Sequence, residues 1–334
     1  AIDAGINYVD TAFGYHNGKS EGLVGKALKD GYREKVILTT KLPVWLVKTH
    51  EDMMKFLDEQ LKKLDTPYVD FYILHAMNNE RMDAMQKLDY KRFYAEAIAQ
   101  GKVRYPGFSF HDDAKAFLRI LHDWDQWGMC QVQMNILDDE NQATLEGIRE
   151  AGRRGVGVVV MEPLRGGLLA NPPVDVKAVY DAYAVRRSPV EWGFRYLYAM
   201  PEVITILSGM STWAQVTDNL RIFDMAKRPT LTDEELALYQ KVKATYLART
   251  KTRCTGCKYC QPCPMGVQIP RIFQGYDAAM LRADSSFKAG YAQIQADHAD
   301  ASQCIHCRKC EHVCPQHLPI TRFLEEIHAA SAAE

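Results

Sequence analysis

Two sets of residues in this 334-residue chain have types and spacing that could do chemistry. The first is an acid, a phenol, an ammonium and an imidazole. Asp10 closes the run NYVD, Tyr15 follows in the loop DTAFGYHNGKSE, Lys41 closes VILTTK and His75 closes FYILH. Such groups move protons, and in parallel β/α folds the polar residues that end apolar strands are where catalytic side chains sit. Each has a plainer role taken alone: Asp10 as a turn cap, Tyr15 as a loop aromatic, Lys41 snorkelling from a strand end, His75 as a satisfied core histidine. The four in order, on three strand ends, outweigh those readings. The second set is eight cysteines between Cys254 and Cys314. Cys254, Cys257, Cys260 and Cys263 stand at two-residue gaps before Pro264; Cys304, Cys307 and Cys310 do the same, and Cys314 follows after three residues, before Pro315. Gaps this short, with no secretory signal, favour shared metal ligation over disulfides. Four-thiolate zinc competes, but zinc usually draws two pairs from separated knuckles, whereas three close cysteines and a Cys-Pro suit a cuboidal iron–sulfur cluster. Cys130 lies outside both runs and is expected to be a buried core thiol.

The first set needs a scaffold. Short β-rich runs alternate with amphipathic stretches from residue 7 to about 223, the pattern of parallel β/α units. Seven strands are expected, at 7–12, 36–42, 69–76, 103–109, 130–137, 156–164 and 203–210. EGLVGKALKD, EDMMKFLDEQLKKL and TLEGIREAGRR carry apolar residues at helical spacing between them. No G-x-G-x-x-G follows an early strand, so a TIM (β/α)8-type barrel is favoured over a doubly wound sheet. Its missing strand is expected just upstream of Ala1, with AIDAG as the end of the first helix. The longest connections are 77–90 and 165–188, read as loops. A helix over 232–248 begins with a good N-cap pattern and should bridge to the cysteine region. The expected organisation is a barrel at 1–225, a linker helix at 226–250 and a small α-rich cluster domain at 251–334.

Composition narrows the function. A net charge of -1 with interspersed signs excludes the basic footprint of a nucleic-acid binder or a polybasic membrane anchor. No apolar stretch approaches the roughly 20 residues that cross a bilayer. The expected home is the cytoplasm, and the expected partners are small molecules or proteins.

The tetrad resembles the aldo/keto reductases over residues 1 to about 223: an Asp, a Tyr five residues later, a Lys ending the next strand and a His ending the one after. The resemblance implies reduction of a carbonyl by a nicotinamide, with the reverse alcohol oxidation. Tyr15 would deliver the proton, Lys41 would favour its phenolate, Asp10 would hold Lys41, and His75 would orient the carbonyl oxygen. It also implies a cofactor surface for NADP or NAD. Ser109 and Gln133 match positions that bind the nicotinamide carboxamide, and Met161 stands where the family usually stacks an aromatic. Leu164, Arg165, Gly166 and Gly167 would form the turn that passes the pyrophosphate. Asp218 and Asn219 resemble the adenine-contacting pair, while Gly209 and Gln215 replace the basic residues that typically bind the 2'-phosphate. Trp45, Phe110 and Leu168 give the substrate loops an apolar, aromatic character.

The cysteine runs resemble two-cluster bacterial ferredoxins. That implies two 4Fe-4S clusters, one on Cys254, Cys257, Cys260 and Cys314, the other on Cys304, Cys307, Cys310 and Cys263. Since a nicotinamide passes electrons in pairs and a cluster singly, three functions stay open: a carbonyl reductase whose clusters are structural or serve a ferredoxin-like or flavin partner, an enzyme whose clusters feed the substrate, and a non-catalytic redox sensor.

Overall fold

The computed structural model describes residues 1–224, 228–254, 256, 258–314 and 316–332. The expected boundary at 225/226, Cys257 and Pro315 lie outside the described residues. Two compact units are present: Ala1–Gly166 with Val190–Leu231, and Gly167–Pro189 with Thr232–Glu334.

In the first unit, seven parallel strands lie side by side in chain order: β1 (Tyr8–Asp10), β2 (Ile37–Leu42), β3 (Val69–Met77), β4 (Val103–Phe110), β5 (Met129–Gln133), β6 (Gly157–Met161) and β7 (Val203–Ile206). They form a nearly closed barrel. Ahead of β1, a single 3-10 turn at Ile2–Ala4 ends on Gly5 with φ 109, a left-handed cap that glycine adopts without strain. The helices between strands are α1 (Ser20–Ala27), α2 (His50–Leu64), α3 (Asn79–Lys87), α4 (Tyr90–Ala99), α5 (Ala114–Asp123) and α6 (Thr144–Arg153).

Strand register decides which side chains share the interior. Side chains alternate faces with period two, so the pairs Asp10 with Thr39, Lys41 with Ile73, Ile73 with Gly107, Gly107 with Met129, Ser109 with Gln131 and Gln133 with Met161 put all of these residues on one face. Lower down that face Ile73, Met129 and Val159 form a buried plug with Tyr8, Phe71 and Leu207 packed on it. Gly107 is needed there: a Cβ would stand 2.8 Å from Ile73 Cγ2 and from the Met129 side chain and carbonyl.

The loop expected at 77–90 contains α3, because Asn78 caps it by accepting from the Arg81 amide at 2.8 Å and Met82 and Met85 give it a buried face. The loop expected at 165–188 holds a 3-10 turn, Arg165–Ala170, and α7 (Val174–Asp181). The last turns of the first unit are carried by α8 (Pro189–Tyr198) and α9 (Trp213–Phe223). Strands β1, β5, β6 and β7 end earlier than their apolar runs suggested, since the chain turns into the site loops as soon as the last inner side chain has been placed.

The second unit pairs α7 with α10 (Asp233–Arg249), tied by the Arg249–Asp175 ion pair at 2.8 Å. It continues with α11 (Ile269–Arg282), α12 (Ser286–Ala296), a short α13 (Lys309–His312) and α14 (Ile320–Ala332). Ile272, Phe273, Tyr291, Ile294, Leu324 and Ile327 form its core, and Cys254, Cys260, Cys263, Cys304 and Cys310 pack against that core. Among the described residues no helix is long and apolar enough to cross a membrane.

Candidate functional site

The upper end of the barrel's inner face carries the first site. Lys41 is 1% exposed. Its ammonium donates to Asp10 Oδ2 at 2.6 Å and to the Thr11 carbonyl at 2.8 Å. Burial raises the Asp10 carboxyl and lowers the Lys41 ammonium, and their contact offsets part of each penalty; the amide of Gln131, opposite on β5, also favours the carboxylate. Under Lys41 lies a second buried layer. Gln60 donates to the Lys41 carbonyl at 3.0 Å and to Glu21, which also accepts from Thr40 at 2.7 Å. This polar floor fixes the strand end that presents the ammonium.

Tyr15 stands 38% exposed on the β1–α1 loop. The loop is shaped by left-handed residues His16 and Asn17 and by the Thr11–Ser20 hydroxyl bond of 2.9 Å. The Lys41 ammonium lies 4.9 Å from the centre of its ring. Partial burial and then the Asp10 carboxylate push the phenol up to about 12. The phenol is thus raised rather than lowered as expected, burial and the Asp10 carboxylate outweighing the pull of Lys41.

His75 meets Tyr15 edge-on at 5.9 Å between ring centroids and Trp45 at 5.1 Å. Strand β3 slips register between Leu74 and Met77, with Ala76 in the left-handed region at φ 54, and this kink aims the imidazole. Burial first, then Lys41, His111 and Arg81, hold His75 down at about 3, so it is neutral at physiological pH. Its Nδ1 is buried without a hydrogen-bond partner among the described residues.

Of the residues expected at a cofactor, Ser109, Gln133 and Met161 end up on the inner face near the tetrad. Ser109 Oγ accepts from the Ala76 amide at 2.7 Å, tying β4 to the His75 kink. Gln133 is held by Asp138 at 3.2 Å and Gln142 at 3.1 Å. Leu164 packs over Gly193, and Arg165, at φ 48, reaches Asp138 at 3.4 Å. Gly166 and Gly167 have φ 63 and 94 with open space at their Cβ positions, as a turn passing close to a ligand needs. Gly209 and Asn219 border a hollow of about 880 Å³ that runs between the edge strands β1 and β7, along Ala4–Tyr8 and Ile204–Leu207. Asn219 donates to Ser208 at 2.9 Å. Asp218 is paired with Arg221, and Gln215 spends its side chain on the α9 capping box, accepting from the Ser211 and Thr212 amides.

Among the substrate-loop residues, Trp45 is exposed beside His75. Phe110 is instead fully buried, packed on Phe117, because the β4 alternation turns it outward under α5. Leu168 belongs to the second unit, where its carbonyl accepts from Tyr246 at 3.5 Å. Sequence reading missed Gln131, Arg81 and His111. Gln131 was legible as a polar residue in the apolar run CQVQ; Arg81 was hidden by reading its helix as a loop.

In the second unit, the chain reaches Cys254 through a carboxylate clamp. Asp277 on α11 accepts from the Lys251, Thr252 and Arg253 amides at 2.7–3.0 Å and from the Thr252 hydroxyl at 2.7 Å. Glu311 does the same for the start of α14, accepting from the Thr321 amide and hydroxyl at 2.8 Å. The described cysteines of this unit line two hollows. One of about 200 Å³ is bounded by Cys260, Cys263, Cys304, Cys307 and Cys310, with Val267, Ile269 and Leu324 behind them. A smaller one is bounded by Cys254, Cys260 and Cys314. No group of three or more His, Cys, Asp or Glu poised around a single metal ion is found among the described residues. A polythiol lining with an apolar back wall fits an iron–sulfur cluster, which takes soft sulfur donors and spreads them around a volume. Cys130 is fully buried on β5, as expected, and burial raises its thiol to about 12.

Residues 1–244 match the family model described as "Aldo/keto reductase family", and residues 253–318 match that of a "4Fe-4S dicluster domain". Methylglyoxal reductase YeaE of Escherichia coli (strain K12) is 37% identical over 267 residues, spanning 72% of this chain and 81% of that protein. The uncharacterized oxidoreductase YqkF of Bacillus subtilis (strain 168) is 25% identical over 277 residues, 72% of this chain and 84% of its own length. Among solved structures, aldo-keto reductase AKR11C1 from Bacillus halodurans (holo form) superposes with a TM-score of 0.60 at 29% identity, covering 72% of this chain and 83% of that one.

Proposed function

The chain belongs to the aldo/keto reductase family, and from that premise we propose that it interconverts a carbonyl and an alcohol with NADP or NAD, and that its cysteine unit holds two 4Fe-4S clusters. The observation that carries the reading is the convergence of Tyr15, the Asp10–Lys41 pair and a neutral His75 at the upper end of the barrel's inner face. A bound nicotinamide supplies the hydride. Ser109, Gln133 and Met161 would border its ring, and the open turn at Gly166 with Gly209 and Asn219 would take the rest. Tyr15, protonated well above neutral pH, gives its phenolic proton to the forming alkoxide. Lys41 stabilises the phenolate left behind, and Asp10 keeps the ammonium in place. His75 hydrogen-bonds the same oxygen as a neutral imidazole, which polarises it without competing as an acid.

Small aldehydes and ketones suit the site, bounded as it is by Trp45 and His75. The relative that reduces methylglyoxal supports that substrate class. Cys254, Cys257, Cys260 and Cys314 would hold one cluster, and Cys263, Cys304, Cys307 and Cys310 the other. Thiolate-held clusters need a reducing compartment, so the cytoplasm is its proposed home. The test is oxidation of NADPH or NADH by the anaerobically purified protein on addition of aldehydes and ketones. Nicotinamide oxidation that starts with the carbonyl is expected; no turnover with any of the panel overturns the reading.

A further inference from the structure

The larger cysteine hollow opens onto a surface that the second unit's fold does not explain. Tyr259, Met265, Ile305 and Val313 all border this hollow, and they are 67%, 41%, 60% and 50% exposed. Cys307 is exposed between them. Four outward apolar side chains around one thiol-lined opening form a contiguous patch, the kind that marks a contact surface on a folded unit. The charges around it are predominantly basic. Arg253–Cys263 and Cys304–Cys314 together carry Arg253, Lys258, Arg308 and Lys309 against a single carboxylate, Glu311. Glu311 is turned inward onto Thr321. Arg308 and Lys309 border the hollow itself, with Arg308 70% exposed and only 3.9 Å from Glu311 at its nearest. Lys258 adjoins Tyr259, and the other facing groups are His312 and His306, the latter 3.5 Å from Glu325 on α14. An apolar centre inside a cationic collar is the anatomy of a transient interface with an acidic protein.

We propose that this face docks a small acidic redox protein, with Tyr259, Met265, Ile305 and Val313 as the dry centre and Arg308, Lys309 and Lys258 as the steering collar. The proposal rests on the cluster reading above. That reading makes a redox carrier the fitting partner, because Arg308 and Lys309 border the opening where Cys307 reaches solvent, and Lys258 borders the neighbouring thiol hollow. Small carriers of this kind bind through modest areas, and charge sets their rate of encounter.

The test uses the cluster-loaded full chain and a small acidic [2Fe-2S] ferredoxin as probe, with the dissociation constant measured by calorimetry at low and at moderate salt. Saturable binding that weakens with salt is expected, and R308E/K309E should weaken it by about tenfold or more. I305S, which leaves the collar intact, should weaken it less but measurably. Iron content and the visible spectrum report whether each variant keeps its clusters, and carbonyl turnover, carried by the barrel, should be unchanged. No binding, or binding indifferent to salt and to both variants, overturns the proposal. So does attachment to phosphatidylserine vesicles that R308E/K309E abolishes, which would assign the collar to a membrane. A chain that binds the ferredoxin but turns over no carbonyl would sink the reductase reading and leave this surface standing.

Discussion

The barrel and the cysteine unit solve the same problem, holding reactive side chains in place, by opposite means. In the barrel, strand register sets Asp10, Lys41, Ser109 and Gln133 on one face, and the cation is buried against its carboxylate at 2.6 Å. In the cysteine unit, most of the described thiols sit on loops between helices, several partly exposed, and the backbone is fixed by carboxylate clamps at Asp277 and Glu311. A sheet can pre-organise a charged site before any ligand arrives, at the cost of burying charge. A loop site of thiols leaves the last of its order to the metal it binds.

That contrast can be broken or sharpened by substitution. Lys41→Met should have the largest effect: it strands the Asp10 carboxylate and should cost about 3–5 kcal/mol of barrel stability with carbonyl turnover lost, while cluster absorbance is retained. Chemical denaturation and the visible spectrum of one sample check both halves. Cys310→Ser should do the reverse, reducing iron content and lowering the second unit's melting midpoint by roughly 5 °C or more, with carbonyl turnover retained. Equal damage to both activities in either variant would show that the units do not hold their sites independently.

Gly107→Ala tests the barrel's rigidity more gently. Its Cβ would meet Ile73 and Met129 at 2.8 Å, and a cost of about 2 kcal/mol should appear in denaturation without loss of the cluster spectrum. An effect of similar size, seen only on acidification, is a pH dependence. His75 is held at about 3 in the folded chain against an ordinary 6.5. The unfolded chain therefore binds the extra proton, and the stability lost on acidification should fall between those two values. At pH 5 this one group should lower stability by about 2 kcal/mol relative to pH 8. A His75→Asn variant should show an acid limb shallower by that amount; an unchanged limb would mean that His75 is not buried in its neutral form.

The sequence carried much of this in legible form, for physical reasons that also explain the gaps. Alternation with period two and polar strand ends made the seven strands and the tetrad visible, because register turns spacing directly into a shared face. Cysteine spacing is equally direct. Helix α3 was hidden because its buried face consists of only Met82 and Met85 among polar residues. Phe110 was misplaced because the expected strand stopped at residue 109, whereas β4 runs on to Phe110 and its alternation turns the ring away from the inner face. The Tyr15 phenol was misjudged because Lys41 could be read from the sequence, but not that burial and the Asp10 carboxylate would outweigh it and push the phenol up. The basic collar on the second unit was invisible in a chain of net charge -1, since it depends on which carboxylates turn inward.

The most direct test of the central claim is single-turnover oxidation of NADPH by an aldehyde, followed anaerobically in the wild-type chain and in Tyr15→Phe, with the cluster absorbance recorded in the same trace. The account predicts rapid oxidation in the wild type with an unchanged cluster band, and a rate reduced by about 10² or more in the variant. Undiminished oxidation in Tyr15→Phe would contradict it.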